Sequence, residues 1–383
     1  MVLHFNYMFT RMIVCLWKFT VRKMIGYGFM KSKKIGCLTW HNVYNFGSEL
    51  QAYALQETIS SLGYNSEFIS YNNENSVFSK LYQFFCEIRA IFTLCDKGSH
   101  GENFIRFRRE YLKCSRKKYN TNNIDSANDV YSKFICGSDQ IWAPNVFDPT
   151  YFLSFAKKKK ISYAASIGLN EIPCDLLPHY RELLSDFYTV SVRENEGKNL
   201  LKSYCNIDSV VMPDPTMLLN RKQWEEITIN PRFKKPYVFC YFLNKQHKYK
   251  NIVTKMVQQG IEIVGVSASK DDASWMKIIE NAGPREFLGY VKNADMVFTD
   301  SFHGSIFSLI FHKQLWIFER FANEDPLCQN SRIYQLAREF SIADRILTKE
   351  AKPLNLIDFD SVQLKLDENI VKGRTFLKQS LED

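Results

Sequence analysis

Residues 34–71 read KIGCLTWHNVYNFGSELQAYALQETISSLGYNSEFISY, and this stretch decides the fold. A short apolar run over 34–39 enters a polar turn, and apolar residues at helical spacing follow over 48–62 until Gly63. A second apolar run begins soon afterwards, at 65–71. Strand, turn, helix and strand in this order are typical of a βαβ unit, whose two strands run parallel. The sequence therefore predicts an α/β protein built on parallel sheets.

The rest of the chain continues this alternation in two series, which a polar stretch at 230–236 separates. Further strands of the first series are predicted at 133–136, 160–166, 189–192 and 210–212. Strands of the second series are predicted at 237–243, 262–266, 296–299 and 314–318. We therefore expect two doubly wound, Rossmann-like domains that face each other, an N-terminal one over 34–229 and a C-terminal one over 236–350.

Three segments stand apart from the two series. Residues 72–128 are polar, aromatic and basic, and we interpret them as a helical insertion in the first domain. Residues 351–383 predict a helical tail that packs back on the first domain. Residues 1–33 form a basic N-terminal extension, either without fixed structure or lying at a membrane interface, because aromatic and cationic residues alternate there.

The net charge of +9 comes mostly from that extension. The first 34 residues carry seven of the 50 Lys and Arg and no acid, which leaves 43 basic against 41 acidic side chains. A nearly neutral body without a matching motif argues against a nucleic-acid partner. The 45% apolar and 24% charged composition excludes a disordered chain.

Several classes of protein are excluded by missing patterns. No run approaches the ~20 apolar residues of a membrane-spanning helix, and the apolar run at 12–17 is too short for an export signal. The ten cysteines form no Cys-x-x-Cys pair and the histidines no His-x-x-x-His pair, so we predict no metal. P-loop and Gly-x-Gly-x-x-Gly motifs are absent, which disfavours ATPases and NAD enzymes. We expect a cytoplasmic protein without a cofactor.

Ligands of open parallel sheets bind at the carboxyl ends of strands, so polar residues that follow predicted strands are the candidates. In the first such cluster, Gly47 allows close approach of a ligand at the start of a helix, and Asn45 and Gln51 flank it. The second cluster follows strand 133–136 and consists of Ser138, Asp139 and Gln140. Asp139 is a candidate acid or base. A plain helix cap is the competing interpretation of both clusters.

Two further clusters carry cationic or titratable side chains. Arg193 ends a predicted strand, where it either grips an anion bidentately or forms a surface pair with Glu194. Residues 299–305 lie between a strand and an apolar helix, and they combine hydroxyls, free backbone N–H groups and an imidazole. The candidates there are Ser301, Phe302, His303, Gly304 and Ser305.

Taken together, these clusters resemble the polysaccharide pyruvyl transferase family. The resemblance rests on six segments in order: NFGSELQAYALQ (45–56), CGSDQIWAP (136–144), KISYAASIG (160–168), SVRE (191–194), DPTMLL (214–219) and TDSFHGSIFS (299–308). The family is similar in fold to the two-domain GT-B glycosyltransferases. This chain differs from the family at residue 46, where the family usually has tyrosine and this chain has phenylalanine.

The resemblance implies transfer of pyruvate from phosphoenolpyruvate to two hydroxyls of a sugar, which forms a cyclic ketal and releases phosphate. Arg193 and His303 are then expected to hold the donor's carboxylate and phosphate, with His303 as a candidate general acid. Asp139 would orient or deprotonate the acceptor hydroxyls, and Asn45 and Gln51 would line that side. The acceptor is expected to be a lipid-linked oligosaccharide, which places the protein at the inner face of the cytoplasmic membrane. Residues 72–128 are expected to help select the acceptor.

Two alternatives stay open. One is a GT-B glycosyltransferase that uses a nucleotide sugar, in which Glu280 or Glu286 would bind the ribose. The other is a non-catalytic sugar-binding protein of the same fold, which would tolerate loss of His303 and Arg193.

Overall fold

The computed structural model describes residues 34–72, 99–232, 236–244, 247–266, 274–322, 325, 328–347 and 356–382. The chain from Lys34 onward groups into one compact unit. The predicted extension, 1–33, lies outside the described residues, as do 73–98 of the predicted insertion and 233–235 of the polar stretch.

The first half contains a five-stranded parallel sheet in the order β3-β2-β1-β4-β5. Its strands are β1 Ile35–Leu38, β2 Ser66–Tyr71, β3 Cys114–Tyr119, β4 Lys133–Cys136 and β5 Lys159–Ser162. A parallel pair, β6 Ser191–Val192 and β7 Val210–Val211, continues it beyond β5 through isolated bridges. The central strands β1 and β4 are almost wholly buried, as expected for a sheet covered on both faces.

The second half contains a six-stranded parallel sheet in the order β10-β9-β8-β11-β12-β13. Its strands are β8 Tyr237–Tyr241, β9 Glu262–Val266, β10 Lys277–Ile278, β11 Met296–Thr299, β12 Gln314–Phe318 and β13 Ile346–Leu347. The α-helices of the described residues are α1 Phe46–Ser61, α2 Ser99–Tyr111, α3 Leu177–Leu184, α4 Asn195–Leu200, α5 Arg221–Ile227, α6 His247–Met256, α7 Pro284–Asn293, α8 Phe302–Ile310, α9 Ser331–Glu339 and α10 Phe359–Leu381.

These two parallel sheets confirm the predicted fold class, and each strand predicted above is present. Strands β4, β9, β11 and β12 have the predicted ends, and the others differ by one to four residues. The interpretation of 72–128 as a helical insertion is wrong for β3, which pairs with β2 at the edge of the sheet. Its sequence, CSRKKY, hides the strand because only Ser115 and Tyr119 are buried. Edge strands often carry charges on their exposed side, which masks the apolar signal.

An aromatic stack joins the two halves at the start of α1. Phe46 lies face to face with Phe287 of α7, with ring centroids 4.7 Å apart and planes 9° apart. Its ring also meets the edge of Tyr241 at 5.6 Å and packs on Phe104 of α2. Phe46, where the family usually has tyrosine, therefore lies in an apolar contact between the halves. A hydroxyl there would have few polar neighbours.

The C-terminal helix α10 packs on residues of both halves. Its Asn369 donates a hydrogen bond to Glu339 of α9 at 2.7 Å, and its last turn accepts one from Lys133 of β4 through the carbonyl of Leu381. Gly373 passes so close to Leu218 that an added Cβ would lie 2.3 Å from that side chain. The helix thus forms a wall beside the junction of the two halves.

A buried histidine makes the stability of the fold depend on pH. His41 donates from its ring to the Thr39 carbonyl at 2.9 Å and stacks on Phe68, and burial lowers its pKa to about 4. Below about pH 6.5 His41 is protonated in the unfolded chain but stays neutral in the folded chain until the pH approaches 4. The free energy of unfolding therefore falls as the pH falls. Between pH 7 and pH 5 the titration of His41 is expected to lower the free energy of unfolding by about 2 kcal/mol.

Urea unfolding of the wild type and of His41→Phe at both pH values tests this expectation. The variant keeps a stacked ring without a titrating group, so its loss of stability between pH 7 and pH 5 should be smaller by that amount. Equal losses in the two proteins would contradict it.

Candidate functional site

The predicted clusters lie where the strand order of each sheet reverses. In the first sheet the reversal falls between β1 and β4, and the loops that follow these strands carry Asn45 and Asp139. In the second sheet it falls between β8 and β11, and Ser301 follows β11. Loops diverge at such a reversal and leave a crevice, which is where doubly wound folds bind ligands.

Hydrogen bonds tie the two loops of the first half together. Ser48 donates through Oγ to Oδ2 of Asp139 at 2.5 Å, and the Gln140 N–H donates to Oδ1 of the same carboxylate at 2.8 Å. Asp139 has a φ of 68° and is 6% exposed. Asn45 caps α1, so the helix begins at Phe46, two residues before the helical spacing predicted over 48–62.

Gln51 and Ser138 differ from the expectation that they line a substrate site. The Gln51 amide donates to Thr39 Oγ1 at 3.1 Å and to the Ser48 carbonyl at 3.0 Å, and it accepts from the Ser138 N–H at 3.2 Å. The Ser138 hydroxyl donates to the Ala164 carbonyl at 2.6 Å. Both side chains are fully buried with their hydrogen bonds made inside the protein, so as placed they hold the loops in position.

Two other residues predicted for the site, Ser301 and Ser305, hydrogen-bond to backbone groups of the first turn of α8. Ser301 accepts from the Gly304 N–H at 3.3 Å and caps α8, so this helix begins at Phe302, earlier than expected. Ser305 donates to the Ser301 carbonyl at 3.0 Å. Gln140 keeps a buried Nε2 without a hydrogen-bond partner in the described part of the chain, beside Gly168, whose φ is 71°.

Arg193 is buried rather than at the surface. Its Nε donates to Glu194 and its Nη1 to Asp214, both at 2.9 Å, and the side chain is almost inaccessible. Burial alone lowers the pKa of a guanidinium, but the carboxylates of Glu194 and Asp214 outweigh it and hold the pKa of Arg193 above its usual value. Its Nη2 has no hydrogen-bond partner among the described residues. A buried, fixed cation with one free donor suits an anionic ligand.

Asp214 joins Arg193 to His303, and sequence reasoning missed it as a site residue. Its Oδ2 accepts from Arg193 and lies 3.4 Å from Nε2 of His303, while Oδ1 accepts from Thr216. Burial raises the pKa of this carboxyl, but His303 and Arg193 outweigh burial and hold it well below its usual range. The position of Asp214 after a predicted strand, in the segment DPTMLL, was the available signal.

His303 lies where the two halves meet. It occupies the first turn of α8 in the second half, and the backbone of Gly47 in the first half passes directly against its ring. A Cβ at Gly47 would lie 2.0 Å from Nδ1 of His303, so this position has no room for a side chain. The imidazole is therefore held between Gly47 on one side and Asp214 on the other.

A cavity of about 460 Å³ opens beside Arg193 and Asp214. Its walls come from residues within 193–217 of the first half, from Phe302 and α9 of the second half, and from α10. Amide side chains in these walls belong to Asn195, Gln335 and Asn369. Such a volume with convergent polar groups is that of a small-molecule site.

The described ranges contain neither a candidate metal site nor a candidate membrane-spanning helix. No group of three or more His, Cys, Asp or Glu side chains there could hold a metal ion. No described helix is long and apolar enough to cross a membrane.

Comparison with known proteins found one family and a set of distant structures. The model of the family described as "Polysaccharide pyruvyl transferase" matches residues 45–320. Curated proteins yield no match.

Three solved structures illustrate the fold. The chain is 11% identical to a glycosyltransferase from Rickettsia africae ESF-5, with a TM-score of 0.52 over 92% of this chain and 100% of that one. A UDP-GlcNAc 2-epimerase from Methanocaldococcus jannaschii has 12% identity and a TM-score of 0.47 over 90% and 98%. A putative UDP-N-acetylglucosamine 2-epimerase from Listeria monocytogenes has 12% identity and 0.46 over 92% and 91%. The likeness to the glycosyltransferase confirms the GT-B-like fold and extends to the fold alone.

Proposed function

Because the chain belongs to the polysaccharide pyruvyl transferase family, we propose that it transfers pyruvate from phosphoenolpyruvate to two hydroxyls of a sugar in a surface-polysaccharide precursor. The products are a cyclic ketal and phosphate. The observation that carries the proposal is the buried Arg193–Asp214–His303 cluster, which assembles an anion-binding cation and an imidazole at the junction of the two halves.

The two anionic groups of phosphoenolpyruvate match the hydrogen-bond donors at this junction. The free Nη2 of Arg193 suits the carboxylate, because a guanidinium offers its N–H groups in the plane of a carboxylate. The first turn of α8 presents backbone N–H groups without intrahelical acceptors, and with His303 it suits the phosphate. Asp214 contacts both Arg193 and His303 and leaves the free Nη2 of Arg193 available.

The reaction adds one proton to carbon and breaks one carbon–oxygen bond. Protonation of the donor's methylene makes its middle carbon electrophilic, and the first sugar hydroxyl attacks that carbon. Phosphate then leaves with the bridging oxygen, and the second hydroxyl attacks the same carbon and closes the ketal. Of the two hydroxyl protons, one balances the new methyl group and the other leaves on phosphate. His303 supplies the acid, and fixed cations stabilise the departing phosphate.

The acceptor side is assigned to Asp139 and the cavity. Asp139 lies close enough to raise the pKa of Arg193, so its carboxylate can accept a proton from, or orient, a sugar hydroxyl near the donor. The cavity of about 460 Å³ is lined by Arg193 and Asp214 but by neither Asp139 nor His303, and its volume suits a sugar beside the donor. A lipid-linked oligosaccharide at the inner face of the cytoplasmic membrane is our proposed acceptor, supported by the basic N-terminal sequence.

The glycosyltransferase alternative receives less support from the site. Of the carboxylates named for a ribose, Glu286 accepts from the Gly283 N–H at 3.0 Å and so closes the first turn of α7. This contact takes up one oxygen of the group that a nucleotide sugar would need.

The decisive experiment compares donors. The purified protein is incubated with phosphoenolpyruvate and a panel of simple and lipid-linked glycosides, and with UDP-sugars in parallel. Phosphate release and a mass gain of one pyruvate ketal are expected with phosphoenolpyruvate. Release of nucleotide without release of phosphate would instead establish a glycosyltransferase. Release of neither, with His303→Ala and Arg193→Ala indistinguishable from wild type in sugar binding, would favour the non-catalytic alternative.

Substitution of Gly47 by alanine is expected to lower the rate of phosphate release at least about 10-fold. The new methyl group would push the His303 ring away from its position, and small displacements of a reacting group are costly. Gly101→Ala in α2 is the matched control, because a Cβ there meets only the side chain of Tyr44, at 3.8 Å. The control should keep full activity. Equal rates for Gly47→Ala and the wild type would show that the position of the ring is unimportant.

A further inference from the structure

Arg332 is a buried cation that the site described above does not use. It is the second residue of α9, is 8% exposed, and lies beyond the residues that the family model matches. Its guanidinium donates to the side chain of Gln329 at 2.7 Å and to the carbonyl of the same residue at 3.5 Å. No Asp or Glu of the described ranges forms an ion pair with it. A buried charge held only by neutral groups is costly unless a ligand completes it.

Arg332 lies beside the donor site. Its guanidinium carbon is 6.0 Å from the centre of the Phe302 ring, and that of Arg193 is 4.7 Å from the same ring. Phe302 is the first residue of α8 and precedes His303, whose ring it also contacts. The two buried guanidiniums therefore gather around one aromatic side chain at the start of α8.

The two cations have opposite electrostatic surroundings. Arg193 has two carboxylates at hydrogen-bonding distance. Arg332 is affected mainly by its burial and then by repulsion from Arg193, which together lower its pKa to about 9, although Glu194 and Asp139 oppose this. No carboxylate of the described residues lies at hydrogen-bonding distance from it, so the protein compensates its charge only from a distance. An additional anion next to Arg332 would supply the missing charge.

We propose that Arg332 is the phosphate-binding cation of the donor site and that Arg193 binds the carboxylate. The assignment follows from the ion pairs, because only Arg332 has its whole charge free for a dianion, whereas Arg193 retains a single free donor. It rests on the proposed function for the identity of the donor. Arg332 neutralises the phosphate in the bound donor and stabilises it more strongly as it leaves with the bridging oxygen.

Phe302 lies beside both cations in this arrangement. The guanidinium carbons of Arg193 and Arg332 lie 4.7 Å and 6.0 Å from the centre of its ring, so two cations are available to a ligand at this place. The site is thereby suited to a ligand with two separate anionic groups.

The test measures binding of three probes by calorimetry: phosphoenolpyruvate, inorganic phosphate and pyruvate. Arg332→Gln is expected to weaken binding of phosphoenolpyruvate and phosphate by about 10- to 100-fold and to leave pyruvate unchanged. Arg332→Lys should restore part of the loss, because it keeps the charge without the planar donors. Arg221→Gln, whose side chain pairs with Glu225 on the surface, is the control and should bind all three probes normally.

Thermal unfolding separates a binding role from a structural one. Removal of an uncompensated buried charge should leave the melting temperature of Arg332→Gln unchanged or higher, since the protein loses no ion pair. A lower melting temperature with unchanged affinities would overturn the assignment, as would equal weakening for all three probes. If the wild type binds phosphate but not phosphoenolpyruvate, and Arg332→Gln loses phosphate, the cation is correctly assigned and the proposed donor is wrong.

Discussion

Arg193→Lys is expected to lower kcat/KM for phosphoenolpyruvate by at least about 100-fold while the protein remains folded. Lysine keeps the positive charge that the buried carboxylates of Glu194 and Asp214 require, so the main source of instability is avoided. It cannot donate to both carboxylates and to a ligand in one plane, as the guanidinium does. The loss should therefore appear in donor binding and in catalysis together.

The charge-removing variant of the same residue has a different outcome. Arg193→Met leaves two buried carboxylates without their cation, and the expected loss of stability is about 3–5 kcal/mol. The double variant Arg193→Met with Asp214→Asn removes one of those carboxylates and should recover part of this loss.

Rates of phosphate release, calorimetry with phosphoenolpyruvate and thermal unfolding measure these effects. Arg221→Lys on the surface is the control for a change of cation, and it should behave as the wild type. A folded Arg193→Lys enzyme with wild-type kcat/KM would remove Arg193 from the donor site.

His303→Gln is expected to lower kcat by about 100- to 10,000-fold, the usual contribution of general acid catalysis. Glutamine is similar in length and can still hydrogen-bond to Asp214, but it cannot deliver a proton to the donor's methylene. Binding of phosphoenolpyruvate should weaken much less than kcat falls, since Arg193 remains.

The measurement is the rate of phosphate release at saturating donor, with His179→Gln as the control. His179 is exposed on α3, where its ring contacts Phe147 of the first half. The pH dependence of the rate provides a second readout, because loss of the acid should remove one limb of the wild-type profile. A His303→Gln enzyme that keeps more than a tenth of the wild-type kcat would show that another group is the acid.

The sequence supported the fold and the neighbourhood of the site, since both depend on signals that are local in the chain. Apolar runs followed by polar turns located the strands of both sheets, and polar residues after those strands located the loops around Asn45, Asp139 and Ser301. The same signals failed for β3, whose charged edge resembles a loop. They also placed the starts of α1 and α8 too late, because the caps are Asn45 and Ser301.

The direction in which a side chain points, and its partners, could not be obtained in this way. Gln51 on α1 and Ser138 in the loop after β4 hydrogen-bond to each other, and Ser138 also donates to Ala164, whereas Asp214 lies between Arg193 and His303. Each of these contacts joins residues far apart in sequence. The contacts within the first half form only once its strands and helices have packed, and the contact between Asp214 and His303 needs the two halves to meet.

The sequence alone determined an α/β chain of two parallel sheets with its functional loops at their carboxyl ends, because periodicity and turn residues act over a few neighbouring positions. The tertiary structure alone decided which charges are buried together. It paired Arg193 with Asp214 and left Arg332 without a carboxylate, although both are arginines in ordinary local sequence. The physical reason is that burial and ion pairing depend on distances in space, which are set by how the strands, helices and halves pack and not by neighbouring positions in the sequence.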